Sequence, residues 1–437
     1  MGKRHMSSRL LISLTLLAAC KSSSITLPKP TAATAYVSAT TADYSASKLE
    51  AIDVGSHTSS DVLPAQAFPA GNLLKTFAHN LYIVGNYGAD NMLVLEPDNQ
   101  YATACPAKSL TACQFALPVG FDAVDFWVTD ATHMYLTASI TADKNVPGSL
   151  SNLVHIYDPT TGTAGATIDI AAGVKALSAA EGGEDLLAVI GDGTLDLGAM
   201  YQVDGYLYVV AEMLVTGAPD PVTGFTNRKP KVTTDSCGYE PSRVAVVDIK
   251  TNKVVKAMKL HGANSQGPFV VEEGTTHLLI ASPGFTGTFA QEPCNGIDRI
   301  DTATQTSLGS ALTEAQLSRG DANGGTVFSF DLDSKGTGFA FVGLGTVEAP
   351  SFQLVRFDLK KGLTATVQDD GVKGLLYAGF ITINSKNQAY ISLPYADPTK
   401  QPAIAAYDAE SGALIQTITL KLAASGIAFY PGPDFIK

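Results

Sequence analysis

Residues 153–170 read LVHIYDPTTGTAGATIDI. Val154, Ile156 and Asp158 alternate with His155 and Tyr157, the period of a pleated strand. Pro159-Thr160-Thr161-Gly162 then supplies a turn, because Pro fixes φ and Gly permits a positive φ. An apolar strand returns. The pattern recurs as RVAVVDIKTNKVVKAMKL over 243–260 and as AIAAYDAESGALIQTITL over 403–420. In each copy a short apolar strand ends in Asp, and Gly or Asn stands four residues on. This hairpin is read as the repeating unit of the chain.

Working outward, seven copies of a strand, a loop and this hairpin can be placed from residue 35 onward. They begin at Ala35–Thr40, Leu81–Tyr87, Met134–Ser139, Tyr206–Ala211, His277–Ser282, Gly338–Gly343 and Gln388–Leu393. Their acidic anchors are Asp53, Glu96, Asp158, Asp248, Asp301, Asp358 and Asp408. A unit of roughly 40–50 residues with loop insertions has the length of a β-propeller blade. A further strand precedes each unit: Leu73–Ala78, Phe121–Thr129, Leu186–Gly191, Pro268–Glu272, Thr326–Leu332 and Ala378–Asn384 serve copies two to seven. Copy one lacks one, and Ser425–Tyr430 is spare at the other end. The expected fold is therefore all-β: a seven-bladed β-propeller of four-stranded antiparallel blades over residues 35–437, with the C-terminal strand closing the first blade. Closure removes open sheet edges.

The patterns in Leu81–Asn86, Leu153–Ile170 and Arg243–Leu260 resemble YVTN-type repeat propellers of bacterial and archaeal surface proteins. The likeness is diffuse over residues 35–437. The family's PDG turn survives only as Val203-Asp204-Gly205 and Ser334-Lys335-Gly336. The resemblance implies the fold and carries little about function.

The N-terminus reads as an address. Lys3, Arg4, His5 and Arg9 precede the apolar run Leu10–Leu16, which is too short for a lasting membrane span. Leu17-Ala18-Ala19-Cys20 resembles the bacterial lipobox, which implies a signal peptide over 1–19 and a lipidated Cys20. An ordinary secretory signal cut near Ala19 is the alternative, and Met6 competes with Met1 as the start. Residues 20–34 then form the lipidated Cys and a Ser/Thr/Pro-rich tether reaching roughly 45 Å. In a Gram-negative host, Lys21 after the lipidated Cys implies the outer membrane.

With 29 Lys and Arg against 41 Asp and Glu, the net charge is −12. Such a chain is poorly suited to nucleic acid or an anionic lipid surface. Setting Cys20 aside leaves four cysteines, which in an exported protein suggest two disulfides. Three pairings are possible. Cys105–Cys113 is favoured by closeness in sequence, and Cys237–Cys294 because both lie in neighbouring loops of one face.

Three loops between second and third strands are long: 141–152, 215–242 and 283–297. They belong to consecutive blades three to five and should form one raised rim, where binding is more common than on the scaffold. Tolerated insertion is the bland reading. Candidate binding residues there are Phe225, Asn227, Arg228, Lys229, Lys231, Tyr239, Glu240 and Arg243. Residues 227–231 (NRKPK) are the dense basic cluster of an acidic chain and suit an anionic partner such as a polysaccharide or an acidic protein, or form a solvated charge group. The 100–114 insertion of blade two is expected on the opposite face as a local clasp.

The sequence contains no G-x-S-x-G, H-E-x-x-H, C-x-x-C-H, Walker loop or EF-hand spacing. No catalytic residue, metal or cofactor is assigned. His79, His133 and His277 precede comparable strands and read as turn residues. Asp192, Gly193 and Asp196 lack a full Ca²⁺ ligand set, and Arg319-Gly320-Asp321 is a bare tripeptide. The expected function is a non-enzymatic, lipid-anchored scaffold of the bacterial cell envelope that binds a protein or glycan through the rim. A lactonase-like propeller hydrolase with a site at the central mouth is the alternative.

Overall fold

Stretches such as Leu207-Tyr208-Val209-Val210-Ala211, in which every residue is fully buried, cannot belong to a sheet with a wet face. They require sheets packed on both sides, which is what radial stacking of blades provides. The computed structural model of the chain describes residues 34–41, 47–63, 72–85, 90–109, 112–118, 121, 123–138, 151–219, 226–234, 236–284, 293–318, 324–346, 349–366, 375, 379–395, 397 and 399–432. Seven antiparallel sheets follow one another as blades of a β-propeller.

From the axis outward, blade one is Ala423–Tyr430, Thr34–Thr40, Ser47–Asp53 and Thr58–Leu63. Blade three is Ala123–Asp130, His133–Ala138, Leu153–Tyr157 and Ala164–Asp169. Blade four is Asp196–Val203, Tyr206–Glu212, Arg243–Asp248 and Lys253–Lys259. Blade five is Gln266–Glu272, His277–Ser282, Gly296–Asp301 and Thr306–Thr313. Blades six and seven begin on the inner strands Gly324–Leu332 and Ile381–Ile383. The ring closes as expected: the C-terminal strand pairs with the first, from Thr34 opposite Tyr430 to Thr40 opposite Ala423, with one bulge at Ser38/Ala39.

Blade two departs from the pattern. After Asn72–Phe77, Asn80–Gly85 and Asn91–Glu96, its outer strand is split into Ala102–Thr103 and Phe115–Ala116, both paired with Asn91–Glu96. The Cys105–Cys113 clasp, with Cα atoms 5.7 Å apart, therefore interrupts the outer strand instead of preceding it. Phe115 packs so closely on Gly162 of the next blade that a Cβ there would lie 2.5 Å from the ring.

Inner strands are stitched by side chains that satisfy backbone groups of the neighbouring blade. Asp125 accepts from Met200 N at 2.8 Å, and Asp331 from Ile383 N at 2.6 Å. Thr76 donates to Phe429 O at 2.5 Å and Thr137 to Gly198 O at 2.9 Å. Buried donors and acceptors left unpaired would cost more than these bonds contribute, so such stitches fix the register between blades.

The acidic anchors of the sequence repeat close their own turns. Asp53 accepts from Ser56 N at 2.6 Å, Asp158 from Thr160 N at 2.8 Å, and Asp248 from Thr251 N at 3.1 Å. Asp358 accepts from Lys360 N at 2.8 Å and Asp408 from Ser411 N at 2.7 Å. The Gly or Asn four residues after Asp158, Asp248 and Asp408 holds positive φ: 72° at Gly162, 53° at Asn252 and 75° at Gly412. That conformation favours Gly or Asn at the position, although His57, Gln100 and Gln305 hold it four residues after Asp53, Glu96 and Asp301. Hydrogen bonds from Ser56, Lys360 and Ser411 hold the carboxyls of Asp53, Asp358 and Asp408 below the ordinary value. A folded-state pKa below the unfolded one adds stability above the unfolded value, about 3.9, and that stability is lost as pH falls through the folded value. The melting temperature should thus hold from neutrality to about pH 5 and fall below about pH 4. Changing Asp358 and Asp408 to Asn should lower it at neutral pH and flatten the acid decline. Parallel acid declines in variant and parent would contradict this role.

Candidate functional site

One sector of one face carries structure that the blades do not need. Between the outer strand of blade three and the inner strand of blade four runs a helical segment: α1 (Ile170–Lys175), a 3₁₀ turn (Ala179–Glu181) and α2 (Leu186–Ile190). Leu186–Gly191 is therefore helix and not the inner strand of blade four, which is Asp196–Val203. Each helical piece is punctuated locally. Asp169 caps α1 by accepting from Ala172 N at 2.8 Å. Ser178 donates to the Glu181 carboxylate from its N at 2.9 Å and its Oγ at 2.7 Å, one half of a capping box. Asp185 caps α2, and Gly191 ends it in the left-handed conformation. The Lys175–Asp185 ion pair, at 2.6 Å, joins the two helices.

The segment lies against Lys253–Lys259, the outer strand of blade four, and glycine sets the approach. A Cβ on Gly173 would meet Val254 Cγ2 at 2.5 Å. Gly182, at φ 86°, would place one 2.0 Å from Ala257 O. Between segment and strand lies a cleft of ≈ 230 Å³ bordered by Gly183, Glu184, Arg243, Met258 and Lys259.

The long blade-four loop carries a hairpin of its own. Leu214–Pro219 pairs with Thr226–Pro230, and Val232 then bridges Tyr239. Sequence reading missed this pairing because its second strand is the basic NRKP run, which lacks the apolar alternation of a strand. The loop is pinned at several points. The Lys231 ammonium donates to Val189 O of α2. Glu240 N donates to Lys231 O at 2.7 Å. Arg243, only 4 % exposed, donates in bidentate fashion to Glu184 at 2.8 and 3.1 Å, to Glu240 at 2.6 Å and to Pro241 O. Burial opposes ionisation of Glu240, but Arg243 and Lys259 outweigh it and keep its carboxyl below the ordinary value.

The blade-five loop joins through cysteine. Cys237 and Cys294 are at disulfide distance, with Cα atoms 5.3 Å apart, in the pairing expected from the sequence. Beneath them is a buried polar layer. Asp298 accepts from Ser282 Oγ at 2.6 Å, Gly262 N at 3.0 Å and His261 N at 3.3 Å. Ser282 meets Ser265 Oγ at 2.7 Å, and Ser265 N donates to Ser242 Oγ at 2.9 Å. Burial pushes the Asp298 carboxyl above the ordinary range despite these donors. An amide here would turn an NH₂ group toward a backbone donor, so Asp298→Asn should cost about 1–3 kcal/mol. Urea denaturation measures this, and an unchanged midpoint would contradict the network.

Most of the sequence-predicted site residues thus form one cap on blade four. Lys231, Tyr239, Glu240 and Arg243 lie together in it. Lys229 is exposed. Asn227 and Arg228 lie on the second hairpin strand, and Phe225 lies outside the described residues, as do 141–150 and 285–292. The basic cluster is not a uniform free patch, since Lys231 is spent on α2 and neighbouring Arg243 is buried. At the start of the cap, Asn152 holds the blade three–four junction: its Oδ1 accepts from Leu195 N at 2.6 Å and its carbonyl from Ile170 N at 3.1 Å.

Elsewhere the candidates have structural partners. His79, His133 and His277 lie at or just before the second strands of blades two, three and five, paired with Asp98, Asp130 and Glu272 at 2.9, 2.9 and 2.8 Å. Asp192 caps its own turn at Thr194, while Asp196 is buried in a strand. Arg319-Gly320-Asp321 lies outside the described residues. Among the inner strands, Lys75 pairs with Asp125 at 2.6 Å and stands over the Trp127 ring at 5.2 Å.

No protein-family model matches the sequence, and a search of curated proteins finds no match. Solved structures do resemble it. A Lactobacillus plantarum protein aligns with TM-score 0.53 and 12% identity over 91% of this chain and 99% of that one. A quinonprotein alcohol dehydrogenase-like protein from Bacteroides thetaiotaomicron gives 0.50 and 9% over 91% and 78%. Apo AztD from Citrobacter koseri gives 0.42 and 10% over 90% and 97%. At such identities the first two alignments speak to fold alone, and the fold is that of a seven-bladed β-propeller built from four-stranded antiparallel sheets.

Proposed function

We propose that this chain is a non-enzymatic binding scaffold of the bacterial cell envelope, anchored by lipid on Cys20, that docks a protein or glycan on the blade three-to-five rim. The observation that carries this reading is the cap itself. Two helices, a hairpin and a stapled loop pair converge on one blade and are locked by Arg243, Lys231 and Cys237–Cys294. Loops tolerated as neutral insertions have no need of so many buried polar ties, whereas a docking face gains affinity from being held in shape before the partner arrives. Val232, 67 % exposed at the end of the hairpin, offers an apolar contact beside the exposed Lys229. The 1–19 signal and 20–34 tether would place the cap at the membrane surface.

The test is site-specific photo-crosslinking in the native envelope. A photoreactive residue at Val232 should give a discrete adduct. The same residue at Leu308, 51 % exposed on the outer strand of blade five, should not. Equal yields at both positions, or an adduct only at Leu308, would overturn the rim as the docking face.

A further inference from the structure

Cys237, Cys294 and His261 each place one potential ligand atom within 4.8 Å of the others. We propose that these residues form a thiol-gated site for a single Zn²⁺ ion, closed while the cysteines are joined and opened by a two-electron reductant of the dithiol class. The proposal extends beyond the docking role of the cap and does not depend on it.

The donor set is chemically coherent. Two thiolates and an imidazole suit a borderline-soft d¹⁰ cation, and three protein ligands leave a fourth tetrahedral position for water or a ligand. The geometry needs little change. Zn–S bonds of about 2.3 Å put two tetrahedral sulfurs about 3.8 Å apart. Cα atoms 5.3 Å apart permit that by side-chain rotation, with Cys237 on a loop and Cys294 just ahead of a strand. His261 is held at one ring nitrogen: its Nδ1 lies 3.1 Å from the Cys294 carbonyl and 2.9 Å from Ser310 Oγ. An Nδ1–H donated to that carbonyl leaves Nε2 with its lone pair, the arrangement in which an imidazole ligates metal while its other nitrogen is held by a second partner. His261 is exposed and Cys237 half-buried, so an ion has a path in.

The electrons and protons balance. The disulfide takes two electrons and two protons from the dithiol, which leaves as its own disulfide. The two thiols then release two protons as Zn²⁺ binds. Either state ties the blade-four loop to the blade-five loop, by an S–S bond or through the metal, so the cap would be kept while its chemistry changes. The other cysteine pair offers an internal control. Cys113 Sγ meets Thr103 Oγ1 at 3.1 Å, and among the described residues no third ligand gathers beside it.

The test titrates the full chain with Co²⁺ as an optical probe, before and after reduction by a phosphine that binds metal weakly. The reduced protein should take up one Co²⁺ with a thiolate-to-cobalt charge-transfer band, and Zn²⁺ should displace it. The oxidised protein should show no such band. His261→Ala should weaken binding tenfold or more, Cys237→Ser should abolish the band, and Cys105→Ser should leave it intact. Circular dichroism of each reduced variant checks that the propeller persists. Cobalt binding without a thiolate band, equal binding by the oxidised protein, or unchanged affinity in His261→Ala would each overturn the site.

Discussion

A chain cut after Leu420 is expected to lose its cooperative thermal transition and to self-associate. The removed segment contains the inner strand of blade one, paired along the length of Thr34–Thr40. It also forms the seam with blade two: Gly426 lies against Leu74 and Asn72, Gly432 against the Thr76 backbone, and Phe429 O accepts from Thr76. Ala424, Ala428, Phe429 and Tyr430 are all buried. Each large apolar side chain contributes about 1.5–3 kcal/mol on burial, and a row of backbone hydrogen bonds goes with them. The sum is comparable to the whole stability of a typical domain, about 5–15 kcal/mol. The cut also bares the edge of Thr34–Thr40, a template for pairing with another chain. Circular dichroism melts and size-exclusion chromatography would read the result. A monomer with the parent's melting temperature would refute ring closure by this strand.

Arg243→Ala is expected to cost about 3–5 kcal/mol, because it removes one partner from a buried ionic cluster and leaves the others uncompensated. The Glu240 side chain is 12 % exposed and, among the described residues, would retain Lys259 at 3.3 Å. Arg243→Lys should rescue little, since one ammonium cannot reproduce a bidentate grip on Glu184 together with a bond to Glu240. The effect carries a pH signature. In the parent, burial of Glu240 is outweighed by Arg243 and Lys259. Without Arg243 the stronger of these two partners is gone, so the stability that a depressed carboxyl contributes above its unfolded value, about 4.3, shrinks. That contribution is lost in the parent as pH falls through the folded value. The deficit of Arg243→Ala relative to parent should therefore be larger at pH 7 than at about pH 4. Urea denaturation at both values measures it, and a deficit below about 1 kcal/mol at both would show that the cluster does not hold the cap.

Much of this architecture is legible in the sequence because it rests on local chemistry. The Asp-to-Gly or Asp-to-Asn spacing in 153–170, 243–260 and 403–420 encodes a turn that closes on itself, and the structure builds each one. The spare strand at 425–430 is legible because a closed ring needs as many inner strands as blades. The cysteine pairing followed from which loops share a face. The helical segment is less legible, although Asp185 before LLAVI and Gly191 after it punctuate a short helix. A five-residue apolar run fits strand and helix alike, so its periodicity does not separate the two. The true inner strand, Asp196–Val203, is broken by Gly198 and shows weaker alternation. The fate of the basic cluster was beyond reach for a different reason. Lys231 meets a carbonyl 42 residues away and Arg243 a carboxylate 59 residues away, and neither partner can be inferred from spacing.

Hydrogen–deuterium exchange of the full chain in envelope vesicles of its host, compared with the same protein purified, tests the proposed docking most directly. Occupied docking would slow exchange in residues 170–190 and 226–243 while leaving the outer strands of blades one, six and seven unchanged. Protection centred on the inner strands 123–130, 196–203 and 324–332, with the cap exchanging as in the purified protein, would contradict the account and place the working surface at the central channel.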